Sequence, residues 1–352
     1  MPFPPSKKVG RRETTNSIFS GVSVSIKWNT INLITGGHTT QLSPDACQTA
    51  IDEALFEALE RPLAPSYVGV DSPVFFRTSP IDTIAYIWDE DSNVGGFLET
   101  SEQEEIKSEN TFIGNQKTVR VKKWMKSIGV SVEAFKTDQV GKRQQIGEQI
   151  GSRMRVTKDR TAMVRVYGDA ADGTYFTTPD AANLASNSHT LLKTGGTEDN
   201  LDTGALTPDT LWTAFVSLTT QAGQDGEISG IHSPRGLLTC TTQYKHLKEI
   251  LNSELIADGG ENNLNIFETD YGRVALGQSL YLNSAWDSGT YKSTAIHIVS
   301  DYHRLYRKVL SEIENDLIEP RYSRTDSWEY RSRYLEVAFP ATWEGYQMLS
   351  GA

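Results

Sequence analysis

Residues 139–168 read QVGKRQQIGEQIGSRMRVTKDRTAMVRVYG, and their apolar members recur at steps of three and four. This period is typical of one face of an α-helix, so the sequence predicts a long amphipathic helix over about Asp138–Gly168. At about 1.5 Å per residue it would be roughly 40–45 Å long, well beyond an average helix of about 11–12 residues. The positions on the apolar face are Ile146, Ile150, Met154, Thr157, Thr161 and Val164.

Two glycines in this helix indicate that packing, and not propensity, maintains it. Gly147 and Gly151 each cost a helix about 1 kcal/mol relative to Ala. We expect the helix to bend or to be closely approached at these positions. We expect its apolar face to pack on later strands within Arg304–Phe339.

The composition is that of a globular protein. Of the 352 residues, 38% are hydrophobic and 9% are aromatic, which allows a sizeable core. No apolar run approaches the roughly 18 residues of a spanning helix, and the start MPFPPSKKVGRR lacks the apolar segment of a signal peptide. The sequence therefore predicts no membrane contact and a protein that stays inside the cell that makes it.

The residues that usually carry chemistry show no catalytic or metal-binding spacing. Cys47 and Cys240 are far apart and form no CxxC motif, and the six histidines form no HxxxH or HExxH pattern. No GxSxG, GxGxxG or GxxxxGK[ST] motif is present. The net charge of -11 argues against a surface that grips DNA or anionic lipid. The sequence predicts no catalytic, cofactor-binding or metal-binding residues.

The start of the chain is predicted to need a partner surface. Residues 1–17 are Pro-rich and basic, with Lys7 and Arg11 among the charges, and cannot bury enough apolar surface to hold themselves. We expect another surface, such as a neighbouring subunit, to hold them; packing on the chain's own domain is the alternative. Residues 22–28, VSVSIKW, alternate apolar and polar side chains and predict a half-buried strand. Ser43-Pro44-Asp45 then predicts the start of a helix that ends at Arg61-Pro62.

Residues 79–133 predict a long two-stranded β-arm whose charges are segregated. The first half is acidic and the second half is basic, which suits docking on a neighbouring subunit; a solvated charged surface is the alternative for any single residue. The alternation of apolar residues slips near Lys126-Ser127, which predicts a bulge or a bend there. The acids include Asp89, Glu90, Asp91, Glu102, Glu104, Glu105 and Glu109, and the bases are Lys117, Arg120, Lys122, Lys123 and Lys126.

The second half of the chain predicts a mixed set of elements. Periodic apolar residues predict helices over 208–222 and 243–255. Strands are predicted at 234–240, 274–282, 295–299, 304–313 and 328–339, the last with a second bulge because Tyr330 and Tyr334 are out of phase with Val337 and Phe339. The fold class is therefore α+β.

In this order, the elements resemble a major capsid protein of a tailed bacteriophage, of the Hong Kong 97 type. The residues that carry the resemblance are VSVEAF (130–135) at the entry to the long helix, VYGD (166–169) at its exit, and YKHLKEIL (244–251). The resemblance implies an N-terminal arm (1–70), an extended β-hairpin loop (79–133), a peripheral domain with the spine helix (134–205), an axial domain (206–300) and return strands of the peripheral domain (301–352).

The resemblance also implies a function. A major capsid protein self-assembles into pentamers and hexamers of an icosahedral shell, which encloses double-stranded DNA without sequence-specific binding. The implied location is the virion capsid after assembly in the host cytoplasm, and the implied partners are a scaffolding protein, a portal, decoration proteins and further copies of the chain. No cofactor is implied. The predicted interface residues are Lys7, Arg11, Glu102, Glu104, Glu105, Glu109, Lys117, Arg120, Lys122 and Lys123.

One departure and two alternatives accompany this interpretation. Only about 70 residues precede the hairpin, so no long built-in scaffold is expected, and no subunit cross-link is assigned to Lys107 or Lys117. An encapsulin-like compartment is the alternative within the same fold. A metal-dependent hydrolase that uses Asp169/Asp172 or Asp89/Asp91 is the alternative from another class. A calcium loop at 89–93 lacks the glycine and glutamate that such a loop requires further on.

Overall fold

The structure, a computed structural model, describes residues 44–61, 63–64, 66–91, 113–132, 141–228, 230–253, 255–256, 263–264, 267, 273–283, 293–319 and 327–351. All of these residues belong to one unit, Gln41–Ala352. The predicted strand at 22–28 and most of the tip of the predicted β-arm, expected at about 102–115, lie outside the described residues.

The described elements mix helices and strands, which confirms the predicted α+β class. The helices are α1 Pro44–Glu60, α2 Lys142–Ala162, α3 Pro208–Thr219 and α4 Thr241–Asn252, and α2 continues into a π-helical turn, Met163–Tyr167. None of these helices is long and apolar enough to cross a membrane. The strands are β1 Arg77–Pro80, β2 Ala85–Asp91, β3 Ile113–Arg120, β4 Lys122–Ser131, β5 His189–Thr190, β6 Thr197–Glu198, β7 Leu201–Asp202, β8 Pro234–Cys240, β9 Leu255–Ile256, β10 Asn263–Leu264, β11 Ala275–Ser279, β12 Ile296–Ser300, β13 Leu305–Ile318, β14 Ser327–Pro340 and β15 Tyr346–Leu349.

The two glycines of α2 are where α1 lies against it. A Cβ atom on Gly147 would sit 2.3 Å from the backbone oxygen of Ile51, and one on Gly151 would sit 2.4 Å from that of Leu55. The two helices therefore run side by side in the same direction, with backbone against backbone. The close approach that the sequence predicts at these glycines is found, because only a residue without a side chain fits there.

A four-stranded sheet in the order β1-β13-β14-β4 supports both helices. Ile150 and Met154 of α2 pack on Tyr330 and Tyr334 of β14. This contact confirms that the apolar face of the helix packs on the later strands. The opposite face of β14 is also buried, because Val337 and Phe339 contact Val119 and the β2–β3 hairpin.

The predicted bulges are not where the sequence placed them. Strand β4 pairs with β14 in continuous register over Lys122–Ser131, so the prediction of a bulge at Lys126-Ser127 is wrong. The apolar phase changes at Val121 instead, where the chain leaves the hairpin with β2 and joins the sheet. The irregularity near the end of the sheet lies in β13, between Val309 and Glu314, and β14 simply buries both of its faces.

The second large sheet has five strands in the order β11-β8-β12-β15-β7. Helices α3 and α4 pack on it through Leu211, Phe215 and Leu247. Thr207 caps α3 by accepting a hydrogen bond from the backbone of Thr210, and Pro208 begins the helix, as the sequence predicts. Strand β15 comes from the predicted return segment yet pairs with β12, so this part of the return segment lies inside the five-stranded sheet.

The π-helical turn at the end of α2 is part of the hydrophobic core beneath the five-stranded sheet. Met163, Val166 and Tyr167 of the π-helical turn are buried with Leu238 and Trp343. The Tyr167 hydroxyl donates a hydrogen bond of 2.7 Å to the backbone oxygen of Phe75. The same helix thus contributes to the cores of both sheets and fixes one relative to the other.

Candidate assembly surface

The β2–β3 hairpin has one face against its own subunit and one face in solvent. The two strands pair antiparallel from Ala85 with Arg120 to Asp91 with Ile113. Because side chains alternate along a strand, Tyr86 and Trp88 point inward while Ile87 between them is 54% exposed.

Aromatic packing holds the base of the hairpin. The rings of Tyr86 and Phe339 lie 5.9 Å apart between centroids, and those of Trp88 and Tyr306 lie 5.6 Å apart. Val119 of β3 is 4% exposed in the same cluster. This apolar contact fixes the direction in which the hairpin leaves the sheet.

Further along the hairpin, its contact with the rest of the subunit becomes polar. The Gln224 side chain donates a hydrogen bond of 2.9 Å from Nε2 to Oε1 of Glu90, and Asn115 donates one of 3.3 Å to Oε2. The backbone N–H of Leu192 donates to Oε1 of Gln224, which holds that amide in place. The Leu192 side chain presses on Gly114, where a Cβ atom would lie 2.3 Å from it.

These contacts of Glu90 and Asn115 with Gln224 and Leu192 are called the polar seam below. Glu90 is unusual among them because it is a buried carboxylate. It is 1% exposed, and the two side chains that donate hydrogen bonds to it, Gln224 and Asn115, are neutral amides. Burial raises the pKa of Glu90 to about 7, and the charges of Asp180 and Glu344 add to the effect while Arg304 opposes it. The carboxylate therefore changes its charge near neutral pH.

Lys117 also contacts its own subunit. Its Nζ donates a hydrogen bond of 3.1 Å to the Thr177 hydroxyl. Burial lowers the pKa of Lys117 to about 8, against the opposing attraction of Asp180 and Asp169. The other three described members of the predicted interface set, Arg120, Lys122 and Lys123, are exposed.

The solvent face of the hairpin and its surroundings carry several large apolar side chains. Ile84, Ile87, Ile113 and Met125 are 68%, 54%, 66% and 59% exposed. Exposed apolar residues that gather on one surface mark an interaction site. The predicted interface residues Lys7, Arg11, Glu102, Glu104, Glu105 and Glu109 lie outside the described residues and stay predictions.

The carboxylates of the alternative hydrolase have structural partners. Asp169 accepts hydrogen bonds from the backbone N–H groups of Thr174, Tyr175 and Phe176. Asp89 accepts one of 2.7 Å from Gln116 across the hairpin. Within the described ranges, no group of three or more His, Cys, Asp or Glu side chains could hold a metal ion.

Sequence reasoning missed the seam around Gln224 and Glu90. These residues are separated by 134 positions in the chain, and Gln224 lies in a turn after α3 with no periodic pattern around it. No local signal connects a glutamine in a turn with a glutamate in a strand. Only the position of the hairpin on the body brings them together.

The family model that describes phage capsid proteins matches residues 114–347, about two-thirds of the chain. The chain belongs to the phage capsid protein family. The matched region runs from β3 through the spine helix and both sheets to β15. The members of this family are structural proteins of the capsid shell, and the location that membership supports for this chain is the virion capsid.

Solved capsids share the fold at low sequence identity. The capsid of Ralstonia phage GP4 is similar with a TM-score of 0.52 and 12% identity, over 96% of this chain and 97% of that one. The mature capsid of bacteriophage PhiM1 gives a TM-score of 0.54 and 10% identity, over 82% and 88%. The capsid of an empty GTA particle gives 0.52 and 10%, over 84% and 95%. These likenesses confirm the predicted Hong Kong 97-type fold. No curated protein sequence matches the chain.

Proposed function

We propose that the chain assembles into pentamers and hexamers that close an icosahedral shell around double-stranded DNA, in the cytoplasm of the host. The observation that carries this proposal is the β2–β3 hairpin. Its inner face is fixed on its own subunit while Ile87 and Ile113 remain exposed. A second copy that covers these residues would bury them, and many such modest contacts add up in a closed shell.

Charged residues would align two subunits with each other but would contribute little to the free energy of their association. Arg120, Lys122 and Lys123 are exposed bases where β3 passes into β4, and we propose that the acidic residues 102–109 of a second copy lie against them. Exposed ion pairs contribute about 0–1 kcal/mol each and are screened by salt. We therefore expect salt to slow assembly without dissolving finished shells.

The proposed partners follow from the same geometry. An acidic chain with a net charge of -11 suits a wall that encloses DNA without binding its sequence. A separate scaffolding protein, a portal and decoration proteins are the further partners that we propose for the shell.

Electron microscopy and sedimentation of the purified chain, with and without a co-expressed scaffolding protein, test the proposal. Closed shells that protect DNA from nuclease are expected. Protein that stays monomeric under every condition contradicts the shell, and shells that enclose a protein cargo in place of DNA contradict the DNA-packaging role. Ile87→Asp should reduce assembly of a folded chain, whereas Ser152→Asp, at an exposed position of α2, should not.

A further inference from the structure

His189 in β5 is completely buried, and both nitrogens of its ring face oxygen atoms. Nδ1 lies 2.9 Å from Oδ2 of Asp180, and Nε2 lies 3.2 Å from Oδ1 of Asn200. The side chains of His189 and Asp180 are 0% and 1% exposed. A neutral imidazole has one N–H group and one unprotonated nitrogen, whereas a protonated ring donates from both nitrogens. The form that is present therefore depends on whether both oxygens can only accept.

Backbone groups fix the orientation of the Asn200 amide. Its Nδ2 donates a hydrogen bond of 2.8 Å to the backbone oxygen of Leu184 and one of 3.4 Å to that of Tyr346. Its Oδ1 accepts a hydrogen bond of 2.8 Å from the backbone N–H of Ser186. A flipped amide would place N–H against N–H and oxygen against two carbonyl oxygens. The atom that faces Nε2 of His189 is therefore an acceptor, so Nε2 must donate.

The hydrogen-bond donors around Asp180 hold it as a carboxylate. Its Oδ1 accepts hydrogen bonds from the Thr178 hydroxyl and the backbone N–H of Ala182, and its Oδ2 accepts one from the backbone N–H of Thr190. Burial alone would raise the pKa of Asp180, but the hydrogen bonds from His189 and Thr178 outweigh it and hold that pKa below its ordinary value. Because an ionised carboxylate only accepts, Nδ1 must donate as well.

The surroundings of the ring favour a positive charge. The ring of Trp343 is stacked on that of His189, with 4.8 Å between the centroids and 17° between the planes. The face of an indole attracts a cation at this distance. Glu198 of β6 is the cross-strand neighbour of His189 and adds a second acid beside Asp180. These contacts offset the cost of burying a charge.

The segment that contains His189 supports the β2–β3 hairpin. Thr177 accepts a hydrogen bond from a lysine of β3, and Leu192 packs on a glycine of the same strand. Asp180 follows Thr177 by three residues, and His189 precedes Leu192 by three. The contact between His189 and Asp180 therefore joins the two ends of the segment on which β3 lies.

We propose that His189 is a buried imidazolium at neutral pH, and that its hydrogen bonds to Asp180 and Asn200 hold residues 177–192 in the conformation that supports the hairpin. A ring without one of its two protons would place a nitrogen lone pair against an oxygen. The segment would then have to rearrange, and β3 would lose part of its support. All of these contacts lie within one subunit, so the inference does not depend on the proposed assembly.

Nitrogen NMR of the full-length chain with isotope-labelled histidine rings tests the protonation of His189, because it distinguishes protonated from unprotonated ring nitrogens. The His189 signals are identified by contacts with the ring protons of Trp343 and by their loss in His189→Gln. Both nitrogens should be protonated at neutral pH. His297, a buried histidine whose pKa burial lowers to about 3, is the control and should have one unprotonated nitrogen. One unprotonated nitrogen at His189 would overturn the inference.

Hydrogen exchange of β3 tests the effect on the hairpin. His189→Gln introduces an amide that donates from one end only and cannot donate to both oxygens. In the folded variant, the amides of residues 113–120 should exchange about tenfold faster at neutral pH, because a hydrogen bond from a charged group is lost. His246→Gln, at an exposed position of α4, is the control and should exchange like the unmodified chain. Unchanged exchange in His189→Gln contradicts the supporting role, and the NMR measurement decides the inference if that variant does not fold.

Discussion

Gln224 donates a hydrogen bond of 2.9 Å to the buried carboxylate of Glu90 and so ties the hairpin to a turn after α3. The same glutamine accepts a hydrogen bond from the backbone N–H of Leu192. One side chain thereby connects three segments of the subunit. The seam holds a group that titrates near neutral pH at the place where the hairpin meets the body.

Docking of the hairpin should depend on pH through Glu90. Its pKa is about 7 when docked, against an ordinary value of 4.5, so the docked state binds the proton more tightly. The equilibrium constant for docking is highest below about pH 4.5 and decreases as the pH rises to about 7. The total decrease is about 300-fold, because the pKa of Glu90 differs by about 2.5 between the docked and undocked states. Asp180, Glu344 and Arg304 are the charged groups that influence this titration. Hydrogen exchange of β2 and β3 should speed up over this pH range after correction for intrinsic rates.

Glu90→Gln is the variant that isolates this effect, because it keeps the shape and removes the titration. Its hairpin exchange should no longer depend on pH. Asp91→Asn, at the exposed neighbouring position, is the matched control and should behave like the unmodified chain. An unchanged pH dependence in Glu90→Gln would show that another group governs docking.

Three buried histidines should contribute a loss of stability in acid. Burial lowers the pKa of His232, His297 and His303 to about 4, 3 and 4. At these three groups the unfolded chain binds more protons, so their contribution to the free energy of unfolding should fall as the pH falls from about 6.5 towards 4, whereas Glu90 contributes in the opposite sense. Urea denaturation across this range measures the slope. His297→Phe should make the slope shallower whatever its absolute stability, and His246→Gln, at an exposed position, is the control.

The long helix and its packing could be predicted because periodicity reports burial directly. Ile150 and Met154 recur at helical spacing and do face the sheet. The same logic failed at Lys126-Ser127, because a change of phase also occurs where a strand changes its partner, here at Val121.

The polar seam could not be predicted, because its residues come from distant segments and carry no local pattern. Charge segregation predicts Lys117 as an interface residue, and this stays a prediction; within the subunit its Nζ donates a hydrogen bond to Thr177. Charge along a strand does not tell which side of the hairpin faces the body. The alternation of Tyr86 and Trp88 with Ile87 contains that information, but only once the neighbouring sheet is known.

Alanine at either glycine of α2 should destabilise the subunit. Alanine gains about 1 kcal/mol of helix propensity, but its Cβ would meet the backbone of α1 at 2.3–2.4 Å, which a side-chain rotation cannot relieve. We expect overpacking to win, with a net loss of about 2 kcal/mol for Gly147→Ala and for Gly151→Ala. Chemical denaturation measures the change, with Ser152→Ala on the exposed side of α2 as the control. A gain in stability at Gly147 would contradict the close approach of the two helices.

Arg307 and Glu336 form a buried ion pair across β13 and β14, with an Nη2–Oε2 distance of 2.7 Å and side chains 8% and 9% exposed. Arg307→Ala should lower the free energy of unfolding by about 3–5 kcal/mol, because it leaves a buried carboxylate without its cation. The combined change Arg307→Met and Glu336→Leu should cost much less, because it leaves no buried charge unpaired. Arg333 and Glu314 join the same two strands at 2.6 Å but are 41% and 47% exposed, so Arg333→Ala should have a much smaller effect. A double-mutant cycle by urea denaturation measures both couplings, and equal values for the two pairs would contradict the role of burial.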